Sequence, residues 1–289
     1  MGVVGIDIIS KRGERRKYLP LETRMKMYED VLKLGRQGLK YKEIQKIIYK
    51  KHRKRLPIPT AFHWINEKHN PLGKVNKFDE KPSPELEYIV GTMFSDGYKY
   101  IGKKSRYSLR LDVNDREFAE KFAECLTKVL GKKKPYKPFW SKSKKQWIIE
   151  GCSVQLYKFL DRPLEELKPY IEHCKDCVAS FLRALYDAEG SICVKIKGRK
   201  RKRRLYLYNT NKELLVYVQY LLKKYFGINS TLHLAIKKGS ISHFPNNKIA
   251  KTNQDEYYVY IHARSLLNFY RCIGFTIKRK QRDLIRAIQ

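Results

Sequence analysis

The chain has 289 residues, enough for two or three compact units, and a 42% hydrophobic content that sets aside a disordered polymer. Against 29 Asp and Glu stand 63 Lys and Arg, a net charge of +34 whose self-repulsion a polyanion would relieve, so nucleic acid is the expected partner. No signal peptide and no apolar run of about 18 residues is present, so no membrane is expected and the protein reads as cytoplasmic or nucleoid-associated.

In chain order, residues 1–73 form a self-contained helical pattern. Helical periodicity over 22–34 (Met25, Tyr28, Val31, Leu32) ends at a turn marked by Gly38. A second amphipathic helix covers 41–49, with Ile44, Ile47 and Ile48 on its apolar side. A basic loop then leads to a third helix over 60–67, with Thr60 as its N-cap. The segment 38–44 resembles the turn entering the second helix of helix-turn-helix domains. The third helix is then the candidate recognition helix, with Thr60, Ala61 and His63 near its start. The alternative is a small bundle that only packs on the rest. Residues 74–83 read as a linker, ended by Ser83 as N-cap and Pro84 as first helical residue.

From 84 the chain repeats itself, over 84–174 and 175–289. In the first repeat a helix precedes strands at 98–103 and 107–113, a helix from Asp115 to Gly131, strands at 134–141 and 146–151, and a helix at 153–160. The second repeat has strands at 191–196 and 204–208, a helix from Lys212 to Gly227, strands at 230–237 and 256–262, and a helix at 264–272. Cys152, Leu156 and Phe159 match His262, Leu266 and Phe269 in spacing. An αββαββα unit used twice suits a pseudo-two-fold monomer.

Each repeat opens on a nine-residue segment: Ile89-Val90-Gly91-Thr92-Met93-Phe94-Ser95-Asp96-Gly97 and Leu182-Arg183-Ala184-Leu185-Tyr186-Asp187-Ala188-Glu189-Gly190. Gly91 with Ser95, and Ala184 with Ala188, are four apart, so each pair makes a flat stripe for a second backbone. Gly97 and Gly190 read as left-handed caps. That leaves Asp96 and Glu189 at helix C-termini, where the macrodipole opposes negative charge by roughly 0.3 to 1 kcal/mol. A divalent cation would relieve both this cost and the repulsion between the acids. The bland alternative is two ordinary helix-ending turns.

These paired segments resemble the signature of the LAGLIDADG homing endonucleases of the single-chain, two-motif type, a likeness covering about two thirds of the chain. The resemblance implies an α+β fold: two pseudo-symmetric αββαββα repeats forming a DNA-binding saddle, preceded by a small all-α helix-turn-helix-like domain. It implies metal-dependent cleavage of both strands of double-stranded DNA at one long site. Asp96 and Glu189 would be catalytic and would hold Mg²⁺, or another divalent cation such as Mn²⁺, with the carbonyls of Ser95 and Ala188. Gly91 and Ala184 would form the helix interface. Many relatives carry Lys or Gln at the end of the second strand of each half. Asn114 and Thr210 stand there in this chain, which puts the activation of water in question; Lys195, Lys103 and Lys104 are candidate substitutes.

Alternation along the strands turns Arg106, Ser108, Arg110 and Asp112 of the first repeat, and Lys195, Arg204, Tyr206 and Tyr208 of the second, toward one face suited to phosphates and base edges. Tyr258 and Tyr260 follow the same pattern, and basic loops at 142–145, 198–204 and 239–251 extend it. Two other readings remain: an RNA maturase with intron RNA as partner, and a DNA-binding regulator that has lost cleavage. Paired acids favour the enzyme, because a binder gains nothing from carboxylates facing phosphates. The termini show no intein splice residues, so a freestanding or intron-encoded protein is expected. The six cysteines read as free thiols, with Cys174-x-x-Cys177 beside His173 as an alternative zinc site.

Overall fold

A computed structural model describes residues 19–71, 78–102, 106–197, 200–244 and 248–289. The chain divides into two compact units, one up to Val75 and the other from Asn76.

Among the described residues, three helices build the first unit: α1 (Leu21–Arg36), α2 (Tyr41–His52) and α3 (Ile58–Ile65). Met27, Val31, Ile44, Ile48, Leu56, Ala61 and Trp64 form its own core. Gly38 takes the turn with φ +78°, as its position between two helices requires. The second helix runs three residues past the expected end, because Asp30 holds both Lys51 (2.7 Å) and His52 (2.6 Å) against α1. Thr60 is not the N-cap. Pro57 is, with Pro59 in the first turn, where its missing N–H costs nothing.

The second unit is mixed α+β, with two antiparallel four-stranded sheets. Its first half contains α4 (Pro84–Met93), β1 (Gly97–Gly102), β2 (Arg106–Val113), α5 (Arg116–Val129), β3 (Phe139–Ser141), β4 (Gln146–Cys152) and α6 (Val154–Phe159). A further helix, α7 (Leu164–Ile171), leads to the second half. That half contains α8 (Lys175–Glu189), β5 (Gly190–Lys197), β6 (Lys200–Asn209), α9 (Lys212–Phe226), β7 (Ser230–Ile236), the hairpin β8 (Ile241–Phe244) and β9 (Lys248–Lys251), β10 (Glu256–Ile261), α10 (Leu266–Cys272) and α11 (Lys278–Ile288). Strand order is β1-β2-β4-β3 in one sheet and β5-β6-β10-β7 in the other, so each half repeats the same connection. Ser83 caps α4 by accepting from Leu86 N at 3.2 Å.

One continuous core runs through both halves, from Leu86 and Val90 on α4 through Phe181 and Leu185 on α8 to Leu284 and Ala287 on α11. Strand alternation turns Leu109, Leu111 and Val113, and Leu205 and Leu207, into it. Two strand expectations shorten or fail. Only Phe139–Ser141 of the expected 134–141 pairs, since Pro135 and Pro138 remove ladder donors. Ser108 shares the face of Arg110 but is not open to a ligand there: it is fully buried and donates to Glu150 Oε1 at 3.0 Å.

Candidate functional site

The site begins where α4 and α8 touch. A methyl group on Gly91 would sit 2.5 Å from the Phe181 carbonyl oxygen and 2.9 Å from Ala184 Cβ, so the backbones approach as closely as a hydrogen side chain allows. Ser95 Oγ turns back to donate to Gly91 O (3.0 Å), which keeps this stripe narrow. Beyond the helix, Ser95 and Asp96 form a turn into β1, whereas Glu189 is the last residue of α8 and Gly190 opens β5 directly. The expected left-handed caps are absent. Gly190 is extended (φ −74°, ψ 136°), and Gly97 is not among the positive-φ glycines. Both are glycine for lack of room, because a Cβ at Gly97 would meet Met93 Sδ (2.7 Å) and Thr92 O (2.9 Å), and one at Gly190 would strike Tyr186 O.

Behind the acids lies a buried polar frame absent from the sequence reading. Asp187, 1% exposed, accepts from Tyr88 Oη of α4 (2.7 Å) and from the backbone N–H of Thr276 (2.8 Å), so it ties α4 and α8 to the residues preceding α11. From the first turn of α11, buried Lys280 returns to α8. Its ammonium donates to the carbonyls of Tyr186 (3.2 Å), Asp187 (2.6 Å) and Ala188 (3.3 Å). Three donors meet three carbonyls at the negative end of the helix dipole. The Ala188 carbonyl, expected to face a metal, thus already has a partner. The signal for Lys280 was present only as the spacing of Leu284 and Ala287, which marks α11 as amphipathic.

Burial raises the pKa of both acids. For Asp96 desolvation dominates and the Lys280 charge opposes it, although the residue itself stays exposed and accessible to a cation. For half-buried Glu189 desolvation again leads, the charge on Asp96 adds to it, Lys280 lowers it, and Glu256 at the start of β10 raises it further. Two desolvated carboxylates, one of them raised further by the charge of the other, are hard oxygen donors short of positive charge, and they fit Mg²⁺ or Mn²⁺. Among the described residues no group of three or more His, Cys, Asp or Glu side chains could hold a metal, so carbonyls, water or phosphate would complete the shell.

The remaining candidates fall in three places. Arg106 and Arg110 lie on β2 but are engaged: Arg110 pairs with Asp112 (2.7 Å) and Glu150 (3.8 Å), Arg106 with Glu150 (2.9 Å). Lys144 also pairs with Asp112, at 2.7 Å. On the second sheet Arg204 is exposed, and Tyr206 and Tyr208 form a ring cluster with Tyr258 (centroids 5.2 and 5.5 Å). His233 on β7 joins that cluster at 5.2 Å from Tyr258; strand alternation along 230–236 was its only signal. Asn114 and Thr210 are exposed just past β2 and β6. In the first unit, Thr60 and His63 are half-buried on α3 and Ala61 is fully buried in the core, so Ala61 cannot read a base. Lys103, Lys104 and the side chain of Lys195 lie outside the described residues.

Residues 176–274 match a family described as LAGLIDADG-like domain. An uncharacterized protein of Methanocaldococcus jannaschii, MJ0398, is 32% identical over 262 residues, 90% of this chain and 92% of that one. A second from the same organism, MJ0314, is 26% identical across 50% of this chain and 55% of its own length. Among solved structures, I-DmoI in complex with DNA and Mn is 21% identical, with a TM-score of 0.47, over 66% of this chain and 96% of that one.

Proposed function

We infer that this chain, which belongs to the LAGLIDADG family and carries the motif twice, is a metal-dependent DNA endonuclease that cuts both strands of a long duplex site. The observation that carries this reading is the placement of two acids with raised pKa at the meeting ends of α4 and α8, where each half contributes one. Gly91 sets the helix separation and therefore the reach between Asp96 and Glu189. Lys280 neutralises the end of α8, which lets Glu189 ionise at a helix terminus that would otherwise repel it. Asp96 and Glu189, with the Ser95 carbonyl and the second lone pair of the Ala188 carbonyl, would hold Mg²⁺ or Mn²⁺. Bound there, the ion would polarise the scissile phosphate and acidify a water. Asn114 and Thr210 offer hydrogen bonds but no charge, so they orient water rather than accept its proton.

The DNA partner follows from charge and from the sheet faces. Tyr206, Tyr208 and Arg204 supply base and phosphate contacts from the second sheet. Arg106 and Arg110 join from the first once duplex phosphates compete with Glu150 and Asp112. One chain with two halves acts as a monomeric pseudo-dimer. Residues 1–73 would be a helix-turn-helix-like module, joined by 74–83 to repeats at 84–174 and 175–289, and would extend the footprint through α3.

The test is cleavage of a randomised duplex library with Mg²⁺, beside a chelator arm and the variants Asp96→Asn and Glu189→Gln. The expected result is one long preferred site cut only by the unaltered protein with metal, and a loss of at least about 10²-fold in either variant with duplex affinity retained. Variants that cut at the unaltered rate would remove both acids from the mechanism. Selective binding without cutting would favour a regulator, the reading that neutral Asn114 and Thr210 support.

A further inference from the structure

At the far end of α8 from Glu189 lies a second reactive cluster, independent of the cleavage reading. Cys174 is the N-cap of α8, and its Sγ accepts from the Cys177 backbone N–H at 3.3 Å. The two sulfurs are 3.1 Å apart. Cys174 is partly exposed and Cys177 fully buried, an asymmetry that separates an entering thiol from a resolving one. Within electrostatic reach of both, on α4, lies Glu87. It is 0% exposed, and neither carboxylate oxygen has a hydrogen-bond partner, a costly arrangement for a buried acid. The electrostatic fields of the three groups overlap: Cys174 acts on Glu87, and Glu87 acts on Cys177.

We propose that Cys174 and Cys177 form a thiol–disulfide exchange site for low-molecular-weight disulfides, with Glu87 as its internal proton acceptor. Cys174, as its thiolate, attacks one sulfur of the incoming disulfide; a mixed disulfide forms and one thiolate leaves, taking up a proton. Glu87, which makes no hydrogen bond in the resting pair, swings to Cys177 and takes its proton, and the Cys177 thiolate attacks Cys174 Sγ, 3.1 Å away. The Cys174–Cys177 bond forms, the second thiolate leaves, and Glu87 returns the proton to it. The incoming disulfide is reduced to two thiols while the protein dithiol is oxidised by two electrons. Burial raises the Cys177 thiol, and it pushes Glu87 up to about 8, so above that pH Glu87 is ionised and is a stronger base than an exposed carboxylate, and closure should speed up as pH rises through about 8. Zinc fits less well, because no third His, Cys, Asp or Glu ligand completes the pair among the described residues.

The experiment treats the full chain with oxidised glutathione, quenches with an alkylating agent and maps the cysteines by mass spectrometry. With the quench made in denaturant, protection should appear at Cys174 and Cys177 together, as a bond between them, while Cys125, Cys152, Cys193 and Cys272 are alkylated. Cys177→Ser should accumulate a glutathione adduct on Cys174, and Cys174→Ser should form none. Glu87→Gln, checked for native circular dichroism, should slow closure of the mixed disulfide at least about tenfold. Full alkylation of both thiols in the unaltered protein would overturn the proposal. So would closure at an unchanged rate in Glu87→Gln, or one zinc per chain released on alkylation of the pair.

Discussion

Lys280 directs its three N–H donors onto the last carbonyls of α8 and is itself 7% exposed, so its charge acts in a medium that screens it poorly. Its removal exposes both the helix end and the acids. In chelated, metal-free protein the raised pKa values of Asp96 and Glu189 mean that the folded state prefers their protonated forms. The stability they contribute is present at acid pH and is lost as pH rises through the folded values. Thermal unfolding with chelator should therefore show Glu189→Gln melting above the unaltered protein near neutral pH, with the gap closing as pH falls. Lys280→Met should melt lower by the equivalent of about 1–3 kcal/mol, and adding Glu189→Gln to it should recover part of that loss. A Lys280→Met protein as stable as the parent would show that the ammonium does not hold the helix end. The acids themselves were legible from their position in the repeated segment. Lys280 was not, because its partners are carbonyls 92 to 94 positions away.

For the elements, the decisive pair is α4 with α8. The small residues at the third motif position were readable as a packing stripe, and the structure places Gly91 against Phe181 O and Ala184. The glycines at the ninth position were also readable, but for another reason than left-handed backbone: helix carbonyls crowd them as each chain turns into a strand. Gly91→Val has no side-chain conformer free of Phe181 O, so the helices must separate. The expected cost is about 3 kcal/mol or more in urea denaturation, accompanied by loss of cleavage. An unchanged midpoint would mean that the helices have slack. α7 and α11 escaped the periodicity reading. Pro169 sits inside α7, and α11 is so rich in Lys and Arg that its apolar side narrows to a few positions.

Over the whole molecule, charge sets the scale of binding. A net +34 predicts that duplex affinity falls by about 10³- to 10⁵-fold between 50 and 200 mM salt, measured by fluorescence anisotropy on non-specific DNA. A flat salt profile would refute a phosphate-tracking surface. The ion pairs of Arg106 and Arg110 with Glu150 and Asp112 make the first sheet's face less positive than its arginines alone imply, while the second sheet's face carries a tyrosine cluster. No described helix is long and apolar enough to cross a membrane. By itself the sequence determined the doubled α+β order and most of the sheet strands with their buried faces, and it offered the two acids as candidates. Each rests on local periodicity or on a motif written within nine residues. Only the tertiary structure decided which cation caps α8, which arginines are already paired, and that Glu87 faces a cysteine pair. Those depend on groups far apart in the chain meeting across buried surfaces, where low dielectric makes each pairing count and no sequence period records it.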